Sequence, residues 1–103
     1  MNIESRLDLV QMTIKELSYD RELWLVNVIQ SVDQKDIVLF VDSVHPDKKT
    51  GLFRTNNYVV PEGMEAKIQT IVDDMIEDIK VMPPLVGQYS VMGGNLDSLG
   101  GIS

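Results

Sequence analysis

The stretch IVDDMIEDIK, residues 71–80, places Asp73, Asp74, Glu77 and Asp78 within six positions. Carboxylates at that density suit hydrated Mg²⁺, which takes one or two carboxylates together with waters and substrate phosphates. On a helix Asp73 and Glu77 are four residues apart, as are Asp74 and Asp78, so each pair shares a face. Ile71, Val72, Met75 and Ile79 fall on the other side of the same helix. The acids therefore also read as the wet face of an amphipathic segment, where like charges cost only a few tenths of a kcal/mol per pair. The second reading is preferred, with the wet face able to serve as an acidic docking surface.

The DDxxED run at 73–78 resembles the aspartate-rich motif of isoprenoid synthases and is similar to the acidic helices of all-α nucleotide pyrophosphohydrolases. The likeness covers six residues and implies, at most, a Mg-dependent hydrolase of nucleotides or other diphosphates. Both families set a second acidic helix across a helical core. Here the other long helix offers Glu4, Asp8 and Glu16, and the segment between the two helices reads as strands. A Ser-His-Asp set can be written from Ser43, His45 and Asp42 or Asp47. Adjacent residues on one strand point to opposite sides, which separates Ser43 from Asp42, and no glycine-rich elbow accompanies them. His45, the single histidine, precedes Pro46 and fits the start of a turn; alone it makes a poor imidazole metal site. GxxxxGK[ST] and GxGxxG patterns do not occur. The expectation is a non-enzyme with no catalytic, cofactor-binding or metal-ligating residues.

Ile3, Leu7, Val10, Ile14 and Leu17 recur at helical spacing, with Asn2 placed to cap the first turn and Glu4 suited to its dipole. LWLVNVIQSV (23–32) and IVLFVDSV (37–44) are rich in β-branched and aromatic residues around the polar connector DQKD. They read as an antiparallel pair, with a helix over 23–32 the open alternative. HPDKKTG is a turn, in which Lys48 and Lys49, with Arg54 nearby, form a solvated tip. Leu52 to Val60 gives a third strand, polar from Arg54 to Asn57 and hence suited to an edge. Pro61 is placed to open a second helix, whose apolar face runs Met64, Ile68, Ile71, Val72, Met75, Ile79 and Met82 before Pro83 and Pro84 end it. The methionines and Trp24 read as core, with an adaptable contact surface as the alternative. The fold class is thus α+β in the order α-β-β-β-α: a three-stranded antiparallel sheet packed by two amphipathic helices over residues 1–84, then an arm over 85–103.

Alternation places Trp24, Val26, Val28 and Val32 opposite Leu23, Leu25 and Ile29, and Ile37, Leu39 and Val41 opposite Val38, Phe40 and Val44. Both faces of the hairpin are apolar, so both need a cover. Either each helix covers one face, or both share one face and the other meets a partner. The arm LVGQYSVMGGNLDSLGGIS is glycine-rich yet carries Leu85, Val86, Tyr89, Val91, Met92, Leu96, Leu99 and Ile102 against one charge, Asp97. Disordered tails are normally polar and charged. Burying each such side chain gains roughly 1.5–3 kcal/mol, which favours an extended arm with apolar anchors. It can fold back on its own sheet, embrace a second subunit or partner, or hang free.

The chain has 103 residues, no cysteine and a net charge of −7. One domain is expected, without disulfides or thiolate chemistry. The acidic surface repels phosphate backbones, which disfavours direct nucleic-acid binding. No stretch approaches the roughly 20 apolar residues that span a bilayer, and the acidic N-terminal segment does not resemble a secretory signal. A cytoplasmic location follows as the expectation, in a host cell or a virion if the protein is viral. The functional expectation is a non-catalytic assembly or interaction protein that self-associates or docks on a protein partner. Tyr89, Val91, Met92, Leu96, Leu99 and Ile102 on the arm, and Asp73, Asp74, Glu77 and Asp78 on the second helix, are its candidate contact residues. In layout it is similar to accessory and connector components of phage particles. The second expectation is an acidic inhibitor or adaptor, a possible nucleic-acid mimic. Residues 61–82 motivate it with six acids against two bases.

Overall fold

Helix α1 spans Ile3–Glu16 in the computed structural model, which describes residues 2–87. Asn2 caps it as its position suggests, Oδ1 accepting from the Ser5 N–H at 2.8 Å. Arg21 closes the other end, donating to the carbonyls of Lys15 (2.8 Å) and Leu17 (3.0 Å), where a cation also complements the helix dipole. Asn2→Ala is expected to lower stability by about 1 kcal/mol, read as a shift of the denaturant midpoint at unchanged slope.

The segment after α1 is a strand, not a helix. Strand β1 (Trp24–Gln30) pairs antiparallel with β2 (Ile37–Ser43), with Val28 opposite Leu39. Its turn closes with the Ser31 N–H on the Asp36 carbonyl at 2.8 Å and with Gln34 at φ 61°. The Asp33 carboxylate accepts from the Ser31 hydroxyl and the Lys35 N–H, and the first of these bonds holds its pKa below the ordinary carboxylate value.

The third strand is broken rather than continuous. Short β3 (Leu52–Phe53) and longer β4 (Thr55–Val60) flank Arg54, whose N–H and carbonyl both bond Ser43. Arg54 is not part of a solvated tip. Its guanidinium donates to the Ile79 carbonyl (3.2 Å), the Met82 carbonyl and Asp47 (3.4 Å), fastening the end of the second helix to the hairpin. Lys48 and Lys49 are exposed as expected. The sheet order is β1-β2-β4, so β4 is an edge, in keeping with its polar middle.

Pro61 does not open the second helix. Gly63 at φ 91° and a turn from the Met64 N–H to the Pro61 carbonyl intervene, and a 3-10 turn (Glu65–Lys67) leads into α2, Ile68–Val81. After α2 the chain crosses to β3. The Leu85 N–H donates to the Phe53 carbonyl (3.2 Å), and β5 (Val86–Gly87) pairs antiparallel with Leu52–Phe53. The expected arm therefore begins attached to the body.

Val28, Ile37, Leu39, Val41 and Val60 on one sheet face form a core with Val10, Ile14 and Leu17 of the α1 side and six residues of α2 from Ile68 to Ile79. Trp24 and Met64 pack against this core and Met75 lies within it. Two charges are buried beside it. Arg6 Nε lies 2.5 Å from Glu65 Oε2, Arg6 Nη2 donates to the Val60 carbonyl (3.1 Å), and the Gly63 N–H donates to Glu65 Oε1 (3.1 Å). The result is a two-layer α+β fold with both helices on the same side of the sheet. No helix among the described residues is long and apolar enough to cross a membrane.

Candidate functional site: an open apolar sheet face

Because β-strand side chains alternate, the register that sends Val28, Leu39 and Val41 to the helices sends their neighbours the other way. Three cross-strand rows result: Ile29–Val38–Val59, Asn27–Phe40–Asn57 and Leu25–Asp42–Thr55. The first row is wholly apolar, the second sets a phenylalanine between two amides, and the third holds the only charge. Asp42 is engaged, accepting from the Thr55 hydroxyl at 2.5 Å. Leu25, Ile29 and Val59 are 57%, 44% and 50% exposed, so no element of the described chain covers this face. At its Leu25 end lies a cup of about 310 Å³, walled by Leu25, Val44, Phe53 and Thr55 together with Asp42, Ser43 and Arg54.

The sheet edges are also legible. Bonds from the Ser31 N–H to Asp36 and from the Val44 N–H to Leu23 show that odd-numbered residues of β1 bond β2. The N–H groups of Val26, Val28 and Gln30 therefore point away from the sheet. That of Val28 is taken by the Asn27 side chain at 2.9 Å, which blunts the edge against strand addition.

The acidic helix face is exposed at Asp73, Asp74, Glu77 and Asp78. Asp73 accepts from Gln69 (3.0 Å) and Glu77 pairs with Lys80 (2.9 Å). The structure divides the four acids. Asp73 and Glu77 line a groove of about 350 Å³ with Tyr19, Trp24 and Ile76, while Asp74 and Asp78 do not. Among the described residues no three His, Cys, Asp or Glu side chains gather as a metal-ion site, and Glu4, Asp8 and Glu16 are all exposed.

His45 is exposed at its turn, and Asp42 and Ser43 occupy opposite sheet faces. The carboxylate of Asp47 is spent on the turn, accepting from the Lys49 and Thr50 N–H groups, each at 3.1 Å. The bond from the Thr50 backbone leads in holding its pKa below the ordinary value. These groups do not converge on a reacting atom.

Of the contact residues expected from sequence, Tyr89, Val91, Met92, Leu96, Leu99 and Ile102 lie outside the described residues. Leu25 and Ile29, and Val38 and Phe40, were each visible as one side of an alternating strand, but alternation does not say which side is left bare, and Val59 was not assigned to a face. Trp24, read from sequence as core with a contact surface as the alternative, both packs against the core and walls the groove, while Tyr19 carried no sequence signal. No protein-family model matches the chain, nor does any curated protein or solved structure.

Proposed function

We propose that the protein is a non-catalytic assembly protein that self-associates, or docks on a protein partner, through its open sheet face and C-terminal arm. This is the role of accessory and connector components in particles such as phages. The observation that carries the reading is the row Ile29–Val38–Val59 beside Phe40, on the face that neither helix covers. A monomer rarely leaves contiguous apolar surface bare without a use for it. The face is almost uncharged on a chain of net −7, which makes it the least repulsive place for acidic copies to meet. Light scattering on the full chain tests this. A mass that rises above one chain with concentration is the expected result, and a strict monomer at high concentration removes self-association.

A second reading has its own observation in the groove rimmed by Asp73 and Glu77 and walled by Tyr19, Trp24 and Ile76. Asp20, Asp73 and Glu77 outnumber the one lining cation, Lys80, over an apolar floor, which suits a basic amphipathic segment of a protein partner and is the acidic inhibitor or adaptor role. Changing Asp73, Asp74, Glu77 and Asp78 to their amides is expected to weaken such a complex about tenfold or more and to flatten its salt dependence, while thermal stability stays within about 0.5 kcal/mol. Binding and salt dependence that do not change would remove this reading.

A further inference from the structure

We propose that the occupant of the open sheet face is the segment 88–103 of a second copy of this chain, so that subunits are joined by exchanged arms rather than by sheet-to-sheet stacking. The inference rests on the self-association reading and specifies its geometry.

The first argument is direction. Strand β5 runs antiparallel to β3, with Val86 opposite Phe53 and Gly87 opposite Leu52. The step from Val86 to Gly87 points toward the Pro46–Gly51 hairpin tip, beyond the Leu25–Asp42–Thr55 end of the sheet. The apolar row Ile29–Val38–Val59 lies at the other end. The first glycine pair, Gly93–Gly94, comes six residues after Gly87. Six residues can span at most about 20 Å, and a glycine pair is where a reversal of the chain costs least. The exit direction at Gly87 favours a neighbour over the home sheet as the surface that the segment reaches.

The second argument is charge. Segment 88–103 carries a single charged side chain, Asp97, whereas the rest of the chain carries the remaining excess of acids. Body-on-body stacking brings two acidic surfaces together. An arm on the face brings an almost neutral segment onto an almost neutral surface. The third argument is chemistry. The face offers apolar side chains interrupted by the amides of Asn27 and Asn57, with a cup beside Leu25 and Phe53. Large apolar side chains spaced along a glycine-rich segment can fill such a cup while the amides bond its backbone.

The natural chain has no cysteine, which makes cross-linking unambiguous. Full-length Phe40→Cys and full-length Val91→Cys are mixed and oxidised, with Asn57→Cys replacing Phe40→Cys should the latter disturb the fold. The expected result is a mixed disulfide between the two variants, several-fold in excess over either same-variant product. Dominant pairing of two Phe40→Cys chains would mean stacked sheets and overturn the proposal. So would an internal disulfide in a Phe40→Cys/Val91→Cys double variant that remains a monomer, which would put the arm on its own face. An associating chain with no cross-link at either face position overturns arm exchange while leaving self-association standing. A chain that is monomeric by light scattering overturns both.

Discussion

Glu65→Ala is expected to cost about 3 kcal/mol of folding stability, enough to lower the melting temperature by roughly 10–20 °C in a domain of this size. The reason is the position of its partner. Arg6 is 6% exposed and Glu65 8%, and Arg6 reaches across 59 residues of sequence to bind Glu65 at 2.5 Å. Removing the carboxylate leaves a guanidinium buried between α1 and the β4–α2 connection with only the Val60 carbonyl to satisfy it. A buried pair need not be a net stabiliser, since desolvation offsets much of its attraction. Arg6→Met/Glu65→Met is therefore expected to recover most of what either single change loses, and a double-mutant cycle measures the coupling.

The same pair fixes a pH dependence. The bond from Arg6 holds the Glu65 carboxyl below the usual carboxylate range, outweighing the burial that acts in the opposite sense. A carboxylate whose folded pKa is depressed stabilises the fold above its unfolded pKa, about 4.3. That contribution is lost as the pH falls through the lower, folded value. Acid unfolding of the Arg6→Met/Glu65→Met variant should accordingly begin at lower pH than that of the natural chain. Identical acid midpoints would show that the pair does not contribute.

The other large effect is expected on association rather than folding. Ile29→Lys/Val59→Lys puts two cations at the ends of the bare apolar row, where the side chains are already about half in water. Stability should change by no more than about 1 kcal/mol, because only cross-strand contacts to Val38 are lost. Self-association should fall about 100-fold, the effect of truncating contacts worth roughly 3 kcal/mol at the centre of an interface. Sedimentation velocity of the variant and natural chains measures it. Unchanged association would place the contact elsewhere.

The element order was legible because each element carries its own period. Val10, Ile14 and Leu17 recur as a helix requires, and Val26, Val28, Leu39 and Val41 alternate as strands do. The side on which α1 and α2 sit was not legible. When both faces of a hairpin are apolar, local pattern carries no information about which one the helices take, and the structure puts them together. Arg6 and Glu65 were not singled out in the sequence, although Arg6 lies three residues from Ile3 on the apolar stripe of α1 and Glu65 lies three residues before Ile68, in the turn that leads into α2. A base and an acid at helical spacing from apolar core positions are a usable signal for a buried pair. The delayed start of α2 depended on the positive φ of Gly63, which Pro61 alone does not announce. Arg54 looked like a hairpin cation because its acceptors, the carbonyls of Ile79 and Met82, lie more than 20 residues away.

On the proposed function, the sheet face opposite the helices is covered by another chain. The most direct measurement follows the side-chain methyl signals of the full protein over two decades of concentration. Ile29, Val38 and Val59 should shift or broaden together as concentration rises, while Met12 and Val81, exposed on the helices, stay fixed. Signals from that row that never move, in a protein whose mass remains that of one 11.6 kDa chain, would rule out a contact at this face.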